Sequence, residues 1–474
     1  MTSILKPDLC VIGAGSGGLS VAAGASQMGA SVVLVERHRL GGECLYTGCV
    51  PSKALLAAAH AAATARGAER FGVRVEAVTV DFAAVYDHLE GVIAEIEPQD
   101  SIARYEGLGV RVIQASARFT GPRELIAGDQ VIRPRRAVIA SGARPAVPSI
   151  PGLDAVPYLT NETLFDARIE PGHLIIIGAG PIGVELGQAY RRLGAAVTLL
   201  DAGRLLSAGE DELALILADR LSAEGVVVRQ DIDIESVAID AEGIAVNFRD
   251  AGEAKRITGT HLLVATGRRR ELGELGLEAA GIATRDGALV LDRRLRTTNR
   301  RVSAAGDVAG PHLFTHMASY QAGIVLRNAL FRLPARVADE TVPWVIYTDP
   351  EYAHVGLSLE AARRVHGAVR VLRWPFDEND RALAEGQPDG LVEAVVTRKG
   401  RVLGASILGP HAGEQISLWT LAIARGLKVS ALAGLVVPYP TYSEASKRAA
   451  ASFYTPALFG ERTRTLVRFL ARFG

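Results

Sequence analysis

The chain has 474 residues, of which 49% are hydrophobic and 22% are charged, and its 52 basic residues balance 52 acidic ones. This length is too great for a single hydrophobic core and predicts about three domains, while the composition excludes a disordered chain. The balanced charge excludes the strongly basic class of nucleic-acid-binding proteins, and the sequence has no run of about 20 apolar residues that would predict a transmembrane helix.

The first predicted elements form a strand–turn–helix–strand unit, with a buried strand at residues 9–12 and a helix at 19–28. The turn between them has the Gly-x-Gly-x-x-Gly spacing: Gly13, Gly15 and Gly18. A strand at 31–35 follows and ends in Glu36. Such glycines allow a tight turn, close approach of a pyrophosphate and close helix–strand packing, and the acid accepts hydrogen bonds from ribose hydroxyls. This unit predicts a dinucleotide-binding site.

Two cysteines come next, with four residues between them in the sequence GGECLYTGCVPSK, where they are Cys44 and Cys49. A helix predicted at 51–65 begins just after them. The partial positive charge of a helix N-terminus lowers thiol pKa values and stabilises the thiolate that exchange requires. We interpret the two thiols as a redox-active pair beside the dinucleotide, in preference to an inert disulfide.

The third cysteine, Cys10, lies in the apolar run of the first strand and is interpreted as a small buried residue. Three cysteines are too few for a disulfide scaffold. The N-terminus shows no secretory signal. We therefore expect a cytoplasmic protein, in which a disulfide is catalytic rather than structural.

A second copy of the nucleotide-binding pattern follows a strand at 174–177. Its glycines are Gly178, Gly180 and Gly183, and a helix through residue 193 and a strand at 196–200 lead to Asp201. In both copies the acid lies 23 residues beyond the first glycine. Two motifs with matched spacing and context predict two dinucleotide-binding units.

Two further buried strands, near residues 137–141 and 263–266, each end in a sharp turn, at Gly142 and Gly267. From residue 343 the pattern becomes α+β. Antiparallel strands are predicted at 344–351, 391–397 and 402–408, with helices at 415–426 and 442–453.

These motifs, in this order over essentially the whole chain, resemble the flavoprotein disulfide reductases, the family of dihydrolipoamide dehydrogenase, glutathione reductase and mercuric reductase. The resemblance implies an α/β fold class, with two Rossmann-like dinucleotide-binding domains plus an α+β C-terminal dimerisation domain. It implies an FAD-binding domain at 1–153 and 270–335, an NAD(P)-binding domain inserted at 154–269, and an interface domain at 336–474 that forms a homodimer.

The resemblance also implies residue roles. Cys49 would lie beside the flavin and Cys44 would face the substrate, while Lys53 would place a cation near the flavin and pair with Glu185. The implied cofactor-binding residues are Gly13, Gly15, Gly18, Glu36, Gly42, Lys53, Gly142, Gly306 and Asp307 for FAD, and Gly178, Gly180, Gly183, Asp201 and Gly267 for the nicotinamide nucleotide. An acid at Asp201 repels a 2′-phosphate, and only Arg204 is a nearby cation, so NADH is favoured over NADPH.

One position departs from the disulfide-reducing members. Those relatives carry a histidine where this chain has Tyr439, with a glutamate five residues later that is retained as Glu444. A phenol with a pKa of about 10 is a poor proton shuttle at neutral pH compared with an imidazole near 6.5. Tyrosine here is similar to mercuric reductases, but this chain has no C-terminal cysteine pair. His312 and His316 are less favoured candidates for a compensating base.

The predicted function is an FAD-dependent oxidoreductase that passes electrons from NAD(P)H through FAD to Cys44–Cys49 and on to an acceptor. The predicted catalytic residues are Cys44, Cys49, Lys53, Glu185, Tyr439 and Glu444; no bound metal is predicted. The acceptor is a small molecule, a metal ion or a lipoyl or other disulfide, in a mercuric-reductase-like or dihydrolipoamide-dehydrogenase-like enzyme. Two alternatives are a lipoyl-protein dehydrogenase of an unusual complex and a catalytically impaired flavin-binding docking subunit.

The last predicted element is a basic amphipathic helix at residues 461–472. Docking to a membrane surface or a partner is one interpretation. Packing against the protein's own dimer is the interpretation that the sequence favours.

Overall fold

The computed structural model describes residues 4–206 and 209–473. The described residues form two compact units, one of Met1–Ala202 with Asp231–Val337 and one of Gly203–Gln230 with Ala338–Gly474. This division does not test the domain boundaries at 153, 269 and 335, which stay predictions. Within the described residues, no helix is long and apolar enough to cross a membrane.

The first unit contains a parallel sheet built around the strand that precedes Gly13. Its strands lie in the order Val302–Ala304, Arg136–Ile139, Leu9–Ile12, Val32–Glu36 and Val110–Gln114. The central strand is buried along its whole length, as expected for a parallel sheet covered on both faces. Cys10 is fully buried in this strand, and burial raises the pKa of its thiol to about 12, which fits the predicted packing role.

A second parallel sheet in the same unit repeats this arrangement. Its strands within the unit lie in the order Tyr158–Leu159, His261–Val264, His173–Ile177 and Ala196–Leu200. The helix Pro181–Leu193 follows the strand His173–Ile177, just as Ser16–Gln27 follows Leu9–Ile12. The parallel pairing of the strands in both sheets places each glycine turn at the carboxyl end of a central strand, where α/β sheets bind ligands.

The remaining strands of the first unit form smaller sheets: Ile4–Leu5, Gln130–Ile132, Glu124–Ala127 and Ala117–Gly121; Asp233–Asp240, Gly243–Asp250 and Glu253–Gly259; Ala143–Pro145 with Arg268–Arg270; and Thr284–Arg285 with Ala288–Leu289. Its other helices are Gly42–Tyr46, Cys49–Arg66, Phe82–Ile96, Ile102–Gly107, Asn161–Leu164 and Thr315–Ala329, with 3₁₀ turns at Ala68–Phe71, Glu97–Asp100, Leu153–Ala155 and Asp307–Ala309.

The second unit contains an antiparallel sheet with helices packed against it. Its strands lie in the order Trp344–Ile346, Glu351–Gly356, Val402–Gly409, Leu391–Thr397 and Val369–Pro375. Its other elements are the helices Asp211–Ala223, Leu359–His366, Asp380–Ala384, Ala412–Ala424, Val429–Ala433, Ser443–Ser452, Thr455–Leu458 and Glu461–Leu470, the strand Val226–Arg229, and 3₁₀ turns at Asp339–Thr341 and Phe376–Glu378. Its core is centred on Trp419 and Phe376, both fully buried.

Some predicted bounds were wrong. The strand predicted at 344–351 is two strands, because Pro350 has no N–H to donate and restricts the residue before it. The helix predicted at 51–65 begins two residues earlier, at Cys49, since a proline is tolerated in the first helical turn.

Candidate active site

The two cysteines of the redox motif come together at the N-terminus of the helix Cys49–Arg66. Cys44 lies on the short helix Gly42–Tyr46 and is half-buried, whereas Cys49 is the first residue of the longer helix and is exposed. A hydrogen bond from the Cys44 thiol lowers the pKa of Cys49 to about 6, while the same bond and burial raise the pKa of Cys44. Near neutral pH the pair therefore favours a thiolate at Cys49 and a thiol at Cys44.

A threonine far away in the sequence also touches both sulfurs. The Thr315 hydroxyl donates to the Cys44 sulfur at 3.1 Å and lies 3.3 Å from the sulfur of Cys49. It is the first residue of the helix Thr315–Ala329, which follows the Gly306–Asp307 motif. Thr315 was not among the predicted site residues, because no local motif distinguishes it from any other residue at the start of a helix.

The cysteine motif packs directly on the first glycine turn. The Gly41 amide donates to the Ala14 carbonyl at 2.9 Å. A Cβ at Gly42, which has a φ of +61°, would lie 2.7 Å from the Cα of Gly15. Glycine at position 42 therefore allows the cysteine motif to lie close to the first glycine turn.

The first glycine turn fits a dinucleotide. Gly13 has a φ of +101°, and a Cβ there would lie 2.2 Å from the Ala140 carbonyl oxygen; a Cβ at Gly18 would lie 1.8 Å from the Gly13 carbonyl oxygen. A Cβ at Gly15 would meet no atom within 4 Å, so this glycine leaves space in front of the helix N-terminus. The first and third glycines are thus required by packing, and the open space at the second is what the predicted approach of a phosphate needs.

Glu36 holds this turn in place. Its carboxylate accepts a hydrogen bond from the Ala14 amide at 2.7 Å and another from the His38 amide at 2.8 Å. Beside it lies a pocket that is lined, among other residues, by Val35, Ala115 and Ser141. An acid at the rim of a partly apolar pocket is what an adenosine group requires.

The second glycine turn has the same geometry. A Cβ at Gly178, with a φ of +112°, would lie 2.4 Å from the Ala265 carbonyl oxygen, and one at Gly183 would lie 1.9 Å from the Gly178 carbonyl oxygen. At Gly180 a Cβ would again meet nothing within 4 Å. Asp201 accepts from the Ala179 amide, as Glu36 does from Ala14. The residues therefore fit a second dinucleotide.

Lys53 and Glu185 meet as the resemblance implied. The Lys53 Nζ lies 2.7 Å from the Glu185 carboxylate, and the Glu185 residue is only 6% exposed. Lys53 lies one turn beyond Cys49, and its charge also contributes to the lowered pKa of that thiol. The pair links the cysteine helix to the helix Pro181–Leu193 that follows the second glycine turn.

Asp307 pairs with Arg268, which was not among the predicted site residues. The Arg268 guanidinium lies 2.7 Å from the Asp307 carboxylate and donates to the Glu43 carboxylate on its other side. Glu43 also accepts from the Asn161 side chain at 2.8 Å. Burial raises the pKa of Asp307 and lowers that of Arg268. Within the part of the chain that the structure describes, the buried Nε of Arg268 has no hydrogen-bond partner.

The other glycines predicted in this region lie in turns that favour glycine. Gly142, Gly267 and Gly306 have φ values of +76°, +117° and +79°. Gly306 also donates to the side chain of Gln321 at 2.8 Å. The rings of His312 and His316 each stack on that of Phe314, with centroids 6.4 and 5.2 Å from it.

Tyr439 and Glu444 belong to the second unit. The exposed Tyr439 donates its hydroxyl to the Asp380 carboxylate at 2.7 Å, and this bond raises the pKa of the phenol. Glu444 lies in the first turn of the helix Ser443–Ser452, 3.6 Å from Arg448. The arrangement makes Tyr439 a hydrogen-bond donor that is less readily deprotonated than an ordinary tyrosine.

The comparison with protein families decides the identity of the fold. The pyridine nucleotide-disulphide oxidoreductase family matches residues 7–323, and the dimerisation domain of that family matches residues 342–450. The chain belongs to this family. It is an FAD-dependent oxidoreductase that also binds a pyridine nucleotide, and its α/β fold class is as predicted.

Individual relatives support the same assignment. A mercuric reductase of Streptomyces lividans is 37% identical over 458 residues, which cover 94% of this chain and 96% of the relative. A dihydrolipoyl dehydrogenase of Geobacillus stearothermophilus is 34% identical, with the same coverage. The copper(II) complex of the HOCl-induced flavoprotein disulfide reductase RclA from Escherichia coli aligns with a TM-score of 0.84 at 27% identity, covering 94% of this chain and 99% of that one.

Proposed function

We propose that this enzyme takes electrons from NADH and delivers them through Cys44 and Cys49 to a thiophilic metal ion. Bound FAD supplies hydride acceptance from the nicotinamide and transfer of an electron pair to the Cys44–Cys49 disulfide. Cleavage of that disulfide by two electrons and one proton leaves a thiol at Cys44 and a thiolate at Cys49. The observation that carries the proposal is the meeting of Cys44 and Cys49 at the N-terminus of the helix Cys49–Arg66, where the Thr315 hydroxyl lies 3.1 and 3.3 Å from their sulfurs.

The residues around the pair have separate roles in this proposal. Lys53 lies one helical turn beyond Cys49 and balances negative charge that develops near the thiolate, and Glu185 holds Lys53 in position at 2.7 Å. Cys44 is the sulfur that meets the acceptor. Because its pKa is raised, Cys44 needs help to lose its proton before it can react.

The kind of acceptor follows from how Cys44 loses that proton. A disulfide substrate requires a base, and Tyr439 is unsuited to this because its hydrogen bond to Asp380 raises its pKa. A thiophilic metal ion needs no base, since coordination itself deprotonates a thiol. One mercuric ion would take up the electron pair, and two cupric ions would share it.

The names of similar proteins agree with a metal ion. Mercuric reductase of Streptomyces lividans and the copper(II) complex of RclA both name a metal. The second candidate is a lipoyl disulfide, because dihydrolipoyl dehydrogenases of similar identity are also relatives.

NADH is the proposed electron donor. Asp201 lies where an acid repels the 2′-phosphate of NADPH. Arg204, the nearby cation that could bind such a phosphate, forms an ion pair with Asp211 at 2.8 Å.

The matched dimerisation domain supports a homodimer. We propose that Tyr439 and Glu444 act at Cys44 of the other subunit, as the family resemblance implies, and that the enzyme works in the cytoplasm.

The test measures NADH oxidation by the holoenzyme with mercuric ion, cupric ion, lipoamide and glutathione disulfide at pH 7. We expect turnover of a metal ion to exceed that of either disulfide. Tyr439→His should raise disulfide turnover on the order of a hundredfold, because it supplies a base near neutrality, and should leave metal turnover unchanged.

Tyr439→Phe is the matched control, since it removes the hydroxyl and adds no base. Fast lipoamide turnover by the wild type that Tyr439→Phe does not change would refute the metal-ion proposal. The lipoyl disulfide would then be the acceptor, with its proton supplied by another group.

A further inference from the structure

The last part of the chain forms an amphipathic helix outside the matched dimerisation domain. The domain match ends at residue 450, and the helices Thr455–Leu458 and Glu461–Leu470 follow it. Neither helix contains a buried residue. We call residues 455–473 the C-terminal amphipathic segment.

Large apolar side chains occupy one side of this segment. On the longer helix Leu466, Phe469 and Leu470 are spaced by three and four residues, which places them on one face. The rings of Phe469 and Phe473 pack edge to face with centroids 5.1 Å apart. Each of these four side chains is more than half exposed, and so are Leu458 and Phe459 before them.

Three of the four arginines occupy the opposite side, whereas Arg462 lies four residues before Leu466, at the N-terminal end of the apolar face. Arg464, Arg468 and Arg472 are spaced by four residues, and Arg464 forms an ion pair with Glu461 at 3.7 Å. Residues 461–473 contain four arginines and one glutamate, so their side chains carry a charge of 4 − 1 = +3, although the whole chain has a formal net charge of zero.

We propose that the C-terminal amphipathic segment docks on the surface of an anionic phospholipid membrane. A helix with an apolar face and a basic face lies in the plane of the lipid–water interface, where its apolar side chains enter the acyl boundary and its arginines meet anionic headgroups. The surface that covers it must therefore be both apolar and negatively charged. An anionic membrane offers both properties to one helix.

The alternatives fit these observations less well. A helix of ten residues spans about 15 Å, half of the hydrocarbon core of about 30 Å, so the segment lies on a membrane and does not cross it. Packing of two such segments against each other would bring two sets of arginines together. The segment also lies beyond the part of the chain that matches the family's dimerisation domain.

The test is co-sedimentation of the full-length holoenzyme with lipid vesicles. We expect binding to vesicles of phosphatidylglycerol and phosphatidylcholine in equal parts to be roughly tenfold or more tighter than binding to phosphatidylcholine alone, because each basic residue near an anionic surface adds attraction. High salt should weaken the binding.

Two double variants probe the two faces, and a third is the control. Leu466→Asp with Phe469→Asp and Arg464→Glu with Arg468→Glu should each abolish sedimentation. Arg363→Glu with Arg364→Glu reverses the same number of charges on another exposed helix of the same unit and should bind like the wild type. NADH oxidation in solution should be unchanged in all three, which shows that they are folded.

Three results would overturn the proposal. The first is a wild-type protein that does not bind the anionic vesicles. The second is a pair of segment variants that bind as well as the Arg363 and Arg364 control. The third is loss of the homodimer in either segment variant without vesicle binding by the wild type, since the segment would then be a contact between subunits.

Discussion

Thr315 illustrates how a single residue completes the thiol pair. Its hydroxyl lies within 3.3 Å of both sulfurs, although it is 271 residues from Cys44 and 266 from Cys49. The bond to Thr315 lowers the pKa of Cys49, after the larger effect of the Cys44 thiol. When Cys49 is a thiolate, the single hydroxyl hydrogen of Thr315 can turn from the Cys44 sulfur to the Cys49 sulfur, and Thr315 then helps to stabilise that thiolate.

We predict that Thr315→Val raises the pKa of Cys49 by about one unit, because a hydrogen bond to a charged group is worth about 1.5 kcal/mol. A lowered thiol pKa keeps the thiolate present above that pKa, and it is lost as the pH falls through about 6. In the variant this loss should occur at higher pH. The measurement is the rate of Cys49 alkylation against pH in the dithiol protein, with mass spectrometry to identify the modified cysteine.

Thr315→Ser is the control for this experiment. It keeps the hydroxyl and should titrate like the wild type. An unshifted Cys49 profile in Thr315→Val would show that the hydroxyl does not stabilise the thiolate.

A second single residue, Asp201, predicts a preference for NADH over NADPH. The wild type should have a higher kcat/KM for NADH than for NADPH, and Asp201→Ala should narrow that difference by removing repulsion of the 2′-phosphate. Asp201→Asn removes the charge but can still accept from Ala179, so it separates repulsion from support of the turn. A wild-type preference for NADPH would contradict the role given to Asp201.

At the scale of secondary-structure elements, the two strand–turn–helix units show which glycines are needed for packing and which one leaves space for a ligand. In both turns the first and third glycines are packed against backbone atoms, whereas the second faces open space. The sequence predicted both units, including their strands and the helices after them. The first helix was predicted to begin at residue 19, but it begins three residues earlier, at Ser16. The prediction was late because Gly17 and Gly18, which belong to the helix, were interpreted as part of the turn.

This difference in packing predicts that substitution of the third glycine affects stability, whereas substitution of the second affects cofactor binding. Gly183→Ala should lower the melting temperature, because its methyl group would lie 1.9 Å from a backbone oxygen. Gly180→Ala should fold normally but bind NADH several-fold more weakly, since its methyl group would occupy the space that a pyrophosphate requires. Thermal unfolding and the KM for NADH distinguish the two. Equal loss of stability in both variants would contradict this division of roles.

At the scale of the whole molecule, the site draws on segments that are distant in the sequence. Lys53 and Glu185 are 132 residues apart, and Glu43 and Arg268 are 225 residues apart. These pairs connect the cysteine motif to the second glycine-turn helix and to Asp307. The electron path therefore depends on packing between nucleotide-binding units that each form from local sequence.

We predict that Lys53→Met destabilises the protein more than Glu185→Gln does. The first change removes a cation from a carboxylate that is almost fully buried, at a cost of roughly 2 kcal/mol, whereas the second leaves a lysine that is partly solvated. Chemical denaturation of the holoenzyme measures both free energies of unfolding. A larger loss of unfolding free energy in Glu185→Gln than in Lys53→Met would contradict the view that Glu185 is the charge that most needs its partner.

The sequence by itself determined the two nucleotide-binding units and the position of the thiol pair, because strand, turn and helix signals act over short spacings. The family resemblance added the complete fold class, with its dimerisation domain, and the pairing of Lys53 with Glu185. Only the tertiary structure brought Thr315 to the sulfurs, Arg268 between Glu43 and Asp307, and Asp380 to the Tyr439 hydroxyl. Those contacts join residues between 39 and 271 positions apart. Contacts between residues so far apart in the sequence depend on how folded elements pack against each other, and no local spacing in the sequence encodes them.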